Sequence, residues 1–500
     1  MNIKTLTHHG VIFPPDYKPW GLMLHGEKLS SLAEEMLYNY SRKLNTPIIN
    51  SVVFTENFVL CLQPELTTRQ QELNFPVDFI NVINKLSTLT QPKQTLTDKE
   101  KEHYKYAKVN GVKEPLGNYL IEPPGIFIGR GDSPLIGLWK YRVRPEDVVI
   151  NFISDSKPPK PPKGHKWKEI KSDSNVSYIA YYTERIGPNV VKRKEIRFGA
   201  ASSIISETDQ QKFKKGSLLV QNWEKMQKWI IDNLNTEYSE CALVSWLIQY
   251  TSIRIGNKKS KDEENNVVGA STLKCDNIKI NGNRLTLEFI GKDSIKFKGV
   301  YTVPDYISTA IKKLKQGKHH NDALFNITSN DVNHFLGMCI EGITAKCFRT
   351  AWAEKILLEE IAKTKIVKSW DVNKKVYVIK SMILEVSKKL NHKKTTKKTV
   401  DEATAKLKTK IELYESKLKE LETDKTKNKK KIKTIKDKLK LLKQQLTLKT
   451  DSHEINLNTA LTNYINPIII FRLCKETGTP LNKIYSAALL KKFEWVKHEI

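Results

Sequence analysis

Ordinary side chains are what any chemistry in this chain has to be built from, because the commoner motif-level routes are missing. Neither a GxxxxGK[ST] phosphate loop nor an HExxH helix occurs in the sequence, which removes the usual signatures of NTP hydrolysis and zinc hydrolysis. Six cysteines, at 61, 241, 275, 339, 347 and 474, form no CxxC pair, so no structural metal is expected and the thiols read as reduced. What the remaining side chains act on follows from charge. Against 55 Asp and Glu stand 84 Lys and Arg, a formal net charge of +29, more than solubility demands, which implies a polyanionic partner. No apolar run reaches the roughly 18 residues of a spanning helix, and MNIKTLTHHGVIFPP holds no signal-peptide core. Nucleic acid therefore stands ahead of membrane. Cutting a phosphodiester takes a nucleophile, cationic donors for the non-bridging oxygens and an acid for the departing oxygen. Tyrosine, arginine and lysine supply all three without a metal or a nucleotide cofactor, but composition does not choose among 18 tyrosines and 84 basic residues.

The elements that must position such groups are partly legible. Five hundred residues suit two to four domains. Residues 1 to about 200 mix short β-rich runs with basic loops punctuated by proline and glycine, including IEPPGIFIGRGDSP and KPPKPPKGHKWKE. The pattern turns helical from about 205 to 255. STLKCDNIKI, an Asn281-Gly282 turn and RLTLEFI then read as paired strands, and Gly291-Lys292-Asp293 leads into SIKFKGVYTV as a third. Val376, Ile379, Ile383, Val386 and Leu390 form an amphipathic stripe that places His392 at a helix C-terminus. Two heptad stretches follow, Leu407, Ile411, Tyr414, Leu418 and Leu421, then Ile432, Ile435, Leu439, Leu442 and Leu446, with TDKTKNKKK as the expected tip of an antiparallel hairpin. With 16 Lys against 8 Asp and Glu, the 401–450 window carries only +8 of the total, and its basic face reads first as a solvated surface. A compact segment, helical from about 467, ends the chain, with Tyr464 ahead of an Asn466-Pro467 turn signal.

Recognition narrows the choice. HHGVIFPP (8–15), IEPPGIFIGRG (121–131), RPEDVVIN (144–151), PPKGHKWKEI (161–170), IRIGNK (253–258), EFIGKDSIKF (288–297), GITAKCFRT (342–350), LNHK (390–393) and NYINP (463–467) occur in this order. Together they make the chain resemble eukaryotic topoisomerase IB over nearly its whole length. The resemblance implies an active site of Arg254, Lys292, Arg349, His392 and Tyr464. Tyr464 attacks the phosphorus to form a 3′-phosphotyrosyl bond, Arg254 and Arg349 hold the non-bridging oxygens, His392 donates a further hydrogen bond, and Lys292 protonates the leaving 5′ oxygen. Less directly it implies DNA contacts at Arg130, Lys140, Lys166, Asn257, Lys346, Thr350 and Asn463. The expected fold is α+β, a bilobed DNA clamp: an N-terminal cap over 1–200, a mainly helical catalytic core over 201–398 with a small three-stranded sheet, a coiled-coil linker over 399–449, and a C-terminal segment over 450–500 that delivers Tyr464. The partner is duplex DNA, the chain a monomer, and no cofactor is needed.

Three departures from the family pattern stand out. HHGVIF begins within ten residues of Met1 where the family has a long charged tail with import signals, so the expected location is the nucleus or another site of DNA in a reducing compartment, such as a viral replication site. Ile128 and Ser133 replace an Arg and a His, which weakens local phosphate contacts. NTALTNY (458–464) replaces GTSKLNY ahead of the nucleophile. Each residue also has a plain reading: Tyr464 as a packed or capping residue, Lys292 as a solvated turn lysine, His392 as a helix-end cap, and the arginines as surface ion pairs. Arg349, beside Phe348 and Trp352 on an apolar helix face, would need an anionic partner. A tyrosine recombinase is the nearest alternative, but it usually has His three residues before the second arginine, where this chain has Lys346. A non-catalytic DNA-binding scaffold with a coiled-coil arm would explain the charge and heptads, though not the five site residues.

Overall fold

The computed structural model describes residues 3–92, 95–129, 133–257, 268–292, 295–394, 399–423 and 425–500, and Cα proximity separates two units, Met1–Glu207 and Thr208–Lys258 with Val267–Ile500. Both helix and sheet are present in quantity, in keeping with the α+β expectation.

The first unit is organised by a long antiparallel pair, Tyr178–Ile186 with Val190–Arg197. Tyr178–Ile186 also pairs with Val148–Asn151, whose four residues are all buried, and Glu169–Lys171 runs parallel to that strand. Trp139–Lys140 pairs with the end of Tyr178–Ile186 at Ile186, on the same edge as Val148–Asn151 and opposite Val190–Arg197, and Gly125–Ile126 pairs with Trp139–Lys140. Helices Ser31–Ser41, Val52–Leu62 and Ile80–Thr88 contribute Met36, Leu37, Phe54, Phe58, Ile83 and Leu86 to one core with Trp139. Gly137 (φ +97) is required where this core closes, since a Cβ there would stand 2.1 Å from the Phe54 carbonyl oxygen.

The second unit is mainly helical. Ser239–Thr251 is buried on nearly every face and packs beside Trp223–Asp232 and Ser329–Cys339. A three-stranded antiparallel meander, Ile278–Asn281, Arg284–Gly291 and Ile295–Thr302, adds Ile278, Leu285 and Leu287 to the same core. Its first strand starts later than STLKCDNIKI suggests. Ala270–Thr272 and Cys275–Asn277 are short 3-10 turns, because Asn277 takes the Lys274 amide on its side-chain oxygen at 3.0 Å and turns the chain before pairing begins.

Helices Val400–Glu422 and Lys425–Asp451 pack along one another. Glu415 pairs with Lys443 at 2.7 Å and Glu422 with Lys436 at 2.9 Å, a heptad step up one helix matched by a heptad step down the other, which makes them antiparallel. The tip is shorter than TDKTKNKKK suggested. Only residues 423 and 424 separate the helices, of which 424 lies outside the described residues, and 425–431 belong to the second helix because lysine propagates helix well and no glycine or proline interrupts it. Both ends of the excursion are tied together: Lys393 bridges Ile455, Lys394 N donates to Glu454 O at 2.8 Å, and Asn456 N donates to His392 O at 2.7 Å. Among the described residues no helix is long and apolar enough to cross a membrane.

Candidate active site

Arg349, His392 and Tyr464 come together in the second unit, each delivered by a helix end. Arg349 lies in the first turn of Cys347–Lys363, on the face that buries Phe348, Ala351 and Leu357, and is 6% exposed. His392 follows helix Val372–Lys389, which buries Ile379, Ile383 and Val386 as the apolar stripe predicts. That helix ends with Asn391 at φ 51, Asn391 N donating to Lys388 O and His392 N to Ser387 O, the paired bonds of a Schellman cap. Tyr464 caps helix Leu457–Asn463, which begins at Asn456 with its side chain accepting from Thr459 N. The NTALTNY departure therefore forms a capped helix, an element the sequence reading placed no earlier than 467. Asn466 caps the next helix, Pro467–Thr477, and its amide also reaches Glu354 at 3.3 Å, fixing the chain just past the tyrosine.

The guanidinium of Arg349 donates to Ser252 O at 2.6 Å, Leu390 O at 2.9 Å and His392 Nε2 at 3.1 Å. Ser252 presents its carbonyl from a left-handed cap (φ 61) that ends helix Ser239–Thr251. Arg349 also lies 4.8 Å from the centre of the Tyr464 ring, and the His392 and Tyr464 rings stack at 5.1 Å. No carboxylate pairs with Arg349 among the described residues. Burial, and then the charge of Arg254, disfavour its cation, yet a guanidinium does not give up its proton.

Because Arg349 only donates, His392 Nε2 must accept, which leaves the imidazole proton on Nδ1. Burial first, then the two arginine charges, lower the His392 pKa to about 3, so the ring is neutral. Nδ1 of His392 and Nε of Arg349 are both buried without a partner among the described residues. Burial alone would raise the Tyr464 hydroxyl, but Arg349 and Arg254, by charge and by hydrogen bond, outweigh it and the net direction is down. Arg254 itself is exposed. Its backbone is clasped by the 269–272 turn, with Ala270 N donating to Arg254 O at 2.7 Å. Gly269 is needed there, since a Cβ would meet Gly256 N at 2.4 Å.

The family descriptions "Eukaryotic DNA topoisomerase I, DNA binding fragment", "Eukaryotic DNA topoisomerase I, catalytic core" and "C-terminal topoisomerase domain" match residues 1–194, 201–425 and 436–500. "DNA topoisomerase I, mitochondrial" of Rattus norvegicus is 30% identical over 98% of this chain and 90% of its own length. The chain belongs to the eukaryotic DNA topoisomerase I family. "DNA topoisomerase 1 alpha" of Arabidopsis thaliana is 31% identical over 98% of this chain and "DNA topoisomerase 1" of Homo sapiens 28% over the same share. The chain spans 58% of the length of the Arabidopsis relative and 70% of the human one.

The other residues expected of a topoisomerase I site are placed unevenly. Lys292 is exposed at the end of strand Arg284–Gly291, and none of the described contacts joins it to the other four. Lys346 is exposed at the N-cap of the Arg349 helix and Thr350 is 2% exposed within it. Asn257 is exposed. Asn463 is exposed, its amide donating to Thr459 O at 3.2 Å. Lys166 is exposed, whereas Lys140 is drawn into pairs with Glu122 at 2.6 Å and buried Glu184 at 3.0 Å. Arg130 lies outside the described residues. Ser133 is 7% exposed, with Leu135 N donating to its hydroxyl at 3.4 Å, so it shapes a turn. Sequence reasoning missed a cluster close to Tyr464: Asp209 pairs with Lys212 at 2.7 Å and Lys492 at 3.1 Å, and Lys492 donates to Thr462 O at 2.9 Å. Asp-x-x-Lys on a helix was visible, but nothing local pointed to Lys492.

Proposed function

We propose that the chain relaxes supercoiled duplex DNA of either sign as a type IB enzyme, and the observation that carries this reading is a tyrosine hydroxyl set against two guanidiniums, one buried without a carboxylate. In the forward step the Tyr464 hydroxyl, eased by the two guanidiniums, releases its proton to solvent water, and Oη forms a bond to the scissile phosphorus as the bond to the 5′ oxygen breaks. Lys292, brought close by DNA, gives that oxygen its proton. Arg349, Arg254 and the Nδ1–H of His392 donate to the non-bridging oxygens as charge builds there. The two orphaned N–H groups are supporting features, since buried donors ordinarily have acceptors. The 3′-phosphotyrosyl ester conserves the bond, so resealing by the 5′ hydroxyl needs no nucleotide, and the freed end rotates about the intact strand meanwhile.

Both units would close on the duplex as a clamp, with Lys166, Lys346, Asn257, Thr350 and Asn463 among the contacts, in a monomer working wherever DNA lies in a reducing compartment. The hairpin, an excursion whose ends are already tied at Lys393 and Ile455, would slow rotation by steric and electrostatic contact. The test is relaxation of positively and negatively supercoiled plasmid in EDTA without ATP. An absolute requirement for either metal or nucleotide overturns the reading. Replacing 402–447 by a short linker should keep cleavage and change the number of turns released per event.

A further inference from the structure

The stretch Lys157-Pro-Pro-Lys160-Pro-Pro-Lys163 repeats lysine at every third position. Consecutive prolines fix φ near the polyproline II value, a helix of three residues per turn and roughly 3.1 Å rise, so lysines three apart share one face about 9 Å from each other. Exposure follows that register up to Pro161: Lys157 and Lys160 are exposed while Pro158, Pro159 and Pro161 are half-buried, after which Pro162 is exposed and the chain enters a turn closed by His165 N on Pro162 O at 3.1 Å, with Lys163 exposed on it. The strip is also anchored. Trp167 Nε1 donates to Pro159 O at 2.7 Å, the Trp167 ring stacks on Phe13, and Pro159 lies so close to Gly10 that a Cβ there would meet it at 3.3 Å. Among the described residues no carboxylate pairs with these three ammonium groups. The nearby Glu146 is turned instead to the His165 ring and the Lys166 amide, at 3.2 and 3.1 Å.

We infer that Lys157, Lys160 and Lys163 form a pre-ordered ladder that holds the phosphate backbone of duplex DNA, a contact surface additional to the active site. An ordered polyproline strip loses little backbone entropy on binding, and long lysine stems adapt their reach to phosphates whatever the base sequence. Duplex DNA is favoured over an acidic protein because the strip lies inside residues 1–194, matched as a DNA binding fragment. The inference rests on the DNA-binding reading above.

The test measures the salt dependence of duplex binding by the full chain, carrying Tyr464→Phe to prevent cleavage. Adding K157Q/K160Q/K163Q should make the slope of log Kobs against log salt shallower by about 2.7, at roughly 0.9 per phosphate contact, while K157R/K160R/K163R keeps it. A parent slope that is steep and unchanged in the Gln variant overturns the ladder, as does strip-dependent capture of a poly-glutamate peptide with an unchanged DNA slope. Absence of salt-dependent DNA binding by the parent would instead sink the DNA-binding reading itself. Unchanged circular dichroism and melting of the variants exclude misfolding as the source of any slope change.

Discussion

Arg349 and Lys140 are both cations drawn into the interior of their units, and they are treated in opposite ways. Lys140 sits between Glu122 and the 1%-exposed Glu184, with Lys194 pairing to Glu122 at 3.0 Å, so its charge is met within the fold. Arg349 is met by two carbonyls, a neutral imidazole and an aromatic ring. A buried cation with its Nε unpartnered among the described residues and no carboxylate to meet its charge is costly unless an anion arrives, and the tyrosine whose hydroxyl is lowered stands beside it. Family resemblance put both residues against DNA. Lys140 has its counter-charge within the fold, whereas Arg349 has none among the described residues, and on the proposed function a DNA phosphate supplies it.

The largest expected effect isolates the nucleophile. Tyr464→Phe should lower covalent capture and relaxation by at least about 10⁴-fold, leaving duplex affinity and the ring contacts to Arg349 and His392 nearly intact. Residual cleavage by the Phe variant at wild-type level would mean that another nucleophile operates, and the contrast with Lys140 would lose its meaning.

Next come the two cations. Arg349→Met should slow cleavage about 10³-fold, as expected for loss of a transition-state donor, while destabilising the fold by only about 1–2 kcal/mol through the carbonyls left unpaired. Lys140→Met should do the reverse, costing about 3 kcal/mol because Glu184 is left buried without its nearest cation, with cleavage per folded molecule little changed. Adding Glu184→Leu should recover much of that loss. Calorimetry and single-turnover cleavage on the same samples separate the outcomes, and a Lys140→Met protein that melts normally but binds DNA poorly would restore the DNA-contact assignment.

The difference between these residues was only partly legible in the sequence. Periodicity is a local signal, so the stripe ending at Leu390 and the heptads on either side of residue 424 translate into observed helices. Arg349's environment is non-local: its acceptors are carbonyls of Ser252 and Leu390, 97 and 41 positions away. Ser252 adopts a left-handed conformation without being glycine, which no sequence pattern announces, whereas Asn391 does so at a helix end where asparagine is a usual substitute for glycine. Lys140 reads as free because its acids come from other strands and loops. Helix Leu457–Asn463 was missed because seven residues are too few to show a period, and its cap rather than its stripe defines it.

A smaller effect concerns two buried histidines, one in each unit. His392 is lowered to about 3 and His8 to about 4 from 6.5, burial being the largest cause in both. The folded chain therefore refuses protons that the unfolded chain accepts below 6.5. The stability these groups contribute is full above that pH and drains as pH falls toward the folded values. His392→Gln should flatten the acid limb of the stability profile and, because a neutral amide also donates, keep cleavage within about tenfold. His392→Ala should lose more. A cleavage rate in wild type that falls with protonation of a group near pH 6.5, and loses that dependence in His392→Gln, would show that His392 titrates and that the neutral assignment is wrong.

The smallest expected effect lies in the Asp209, Lys212 and Lys492 cluster. Lys492 leaves helix Ala487–Lys492 to pair with Asp209 and to donate to Thr462 O, two residues before Tyr464. Asp209 is 7% exposed, and Lys212, lowered chiefly by burial, also senses the Tyr464 hydroxyl through its charge. Lys492 holds the Thr462 carbonyl near the end of the helix that leads to Tyr464; on the proposed function this makes it a positioning residue, because a small error in a nucleophile's placement is enough to slow attack. Lys492→Met should lower the single-turnover cleavage rate by about three- to tenfold with duplex affinity and its salt slope unchanged. Lys492→Arg, which can still donate and still pair with Asp209, should recover most of the rate. A purely structural role would move the melting temperature without this split, and a DNA-contact role would change the salt slope. If both variants weaken DNA binding equally and cleave bound DNA at the wild-type rate, Lys492 touches phosphate and does not aim the tyrosine.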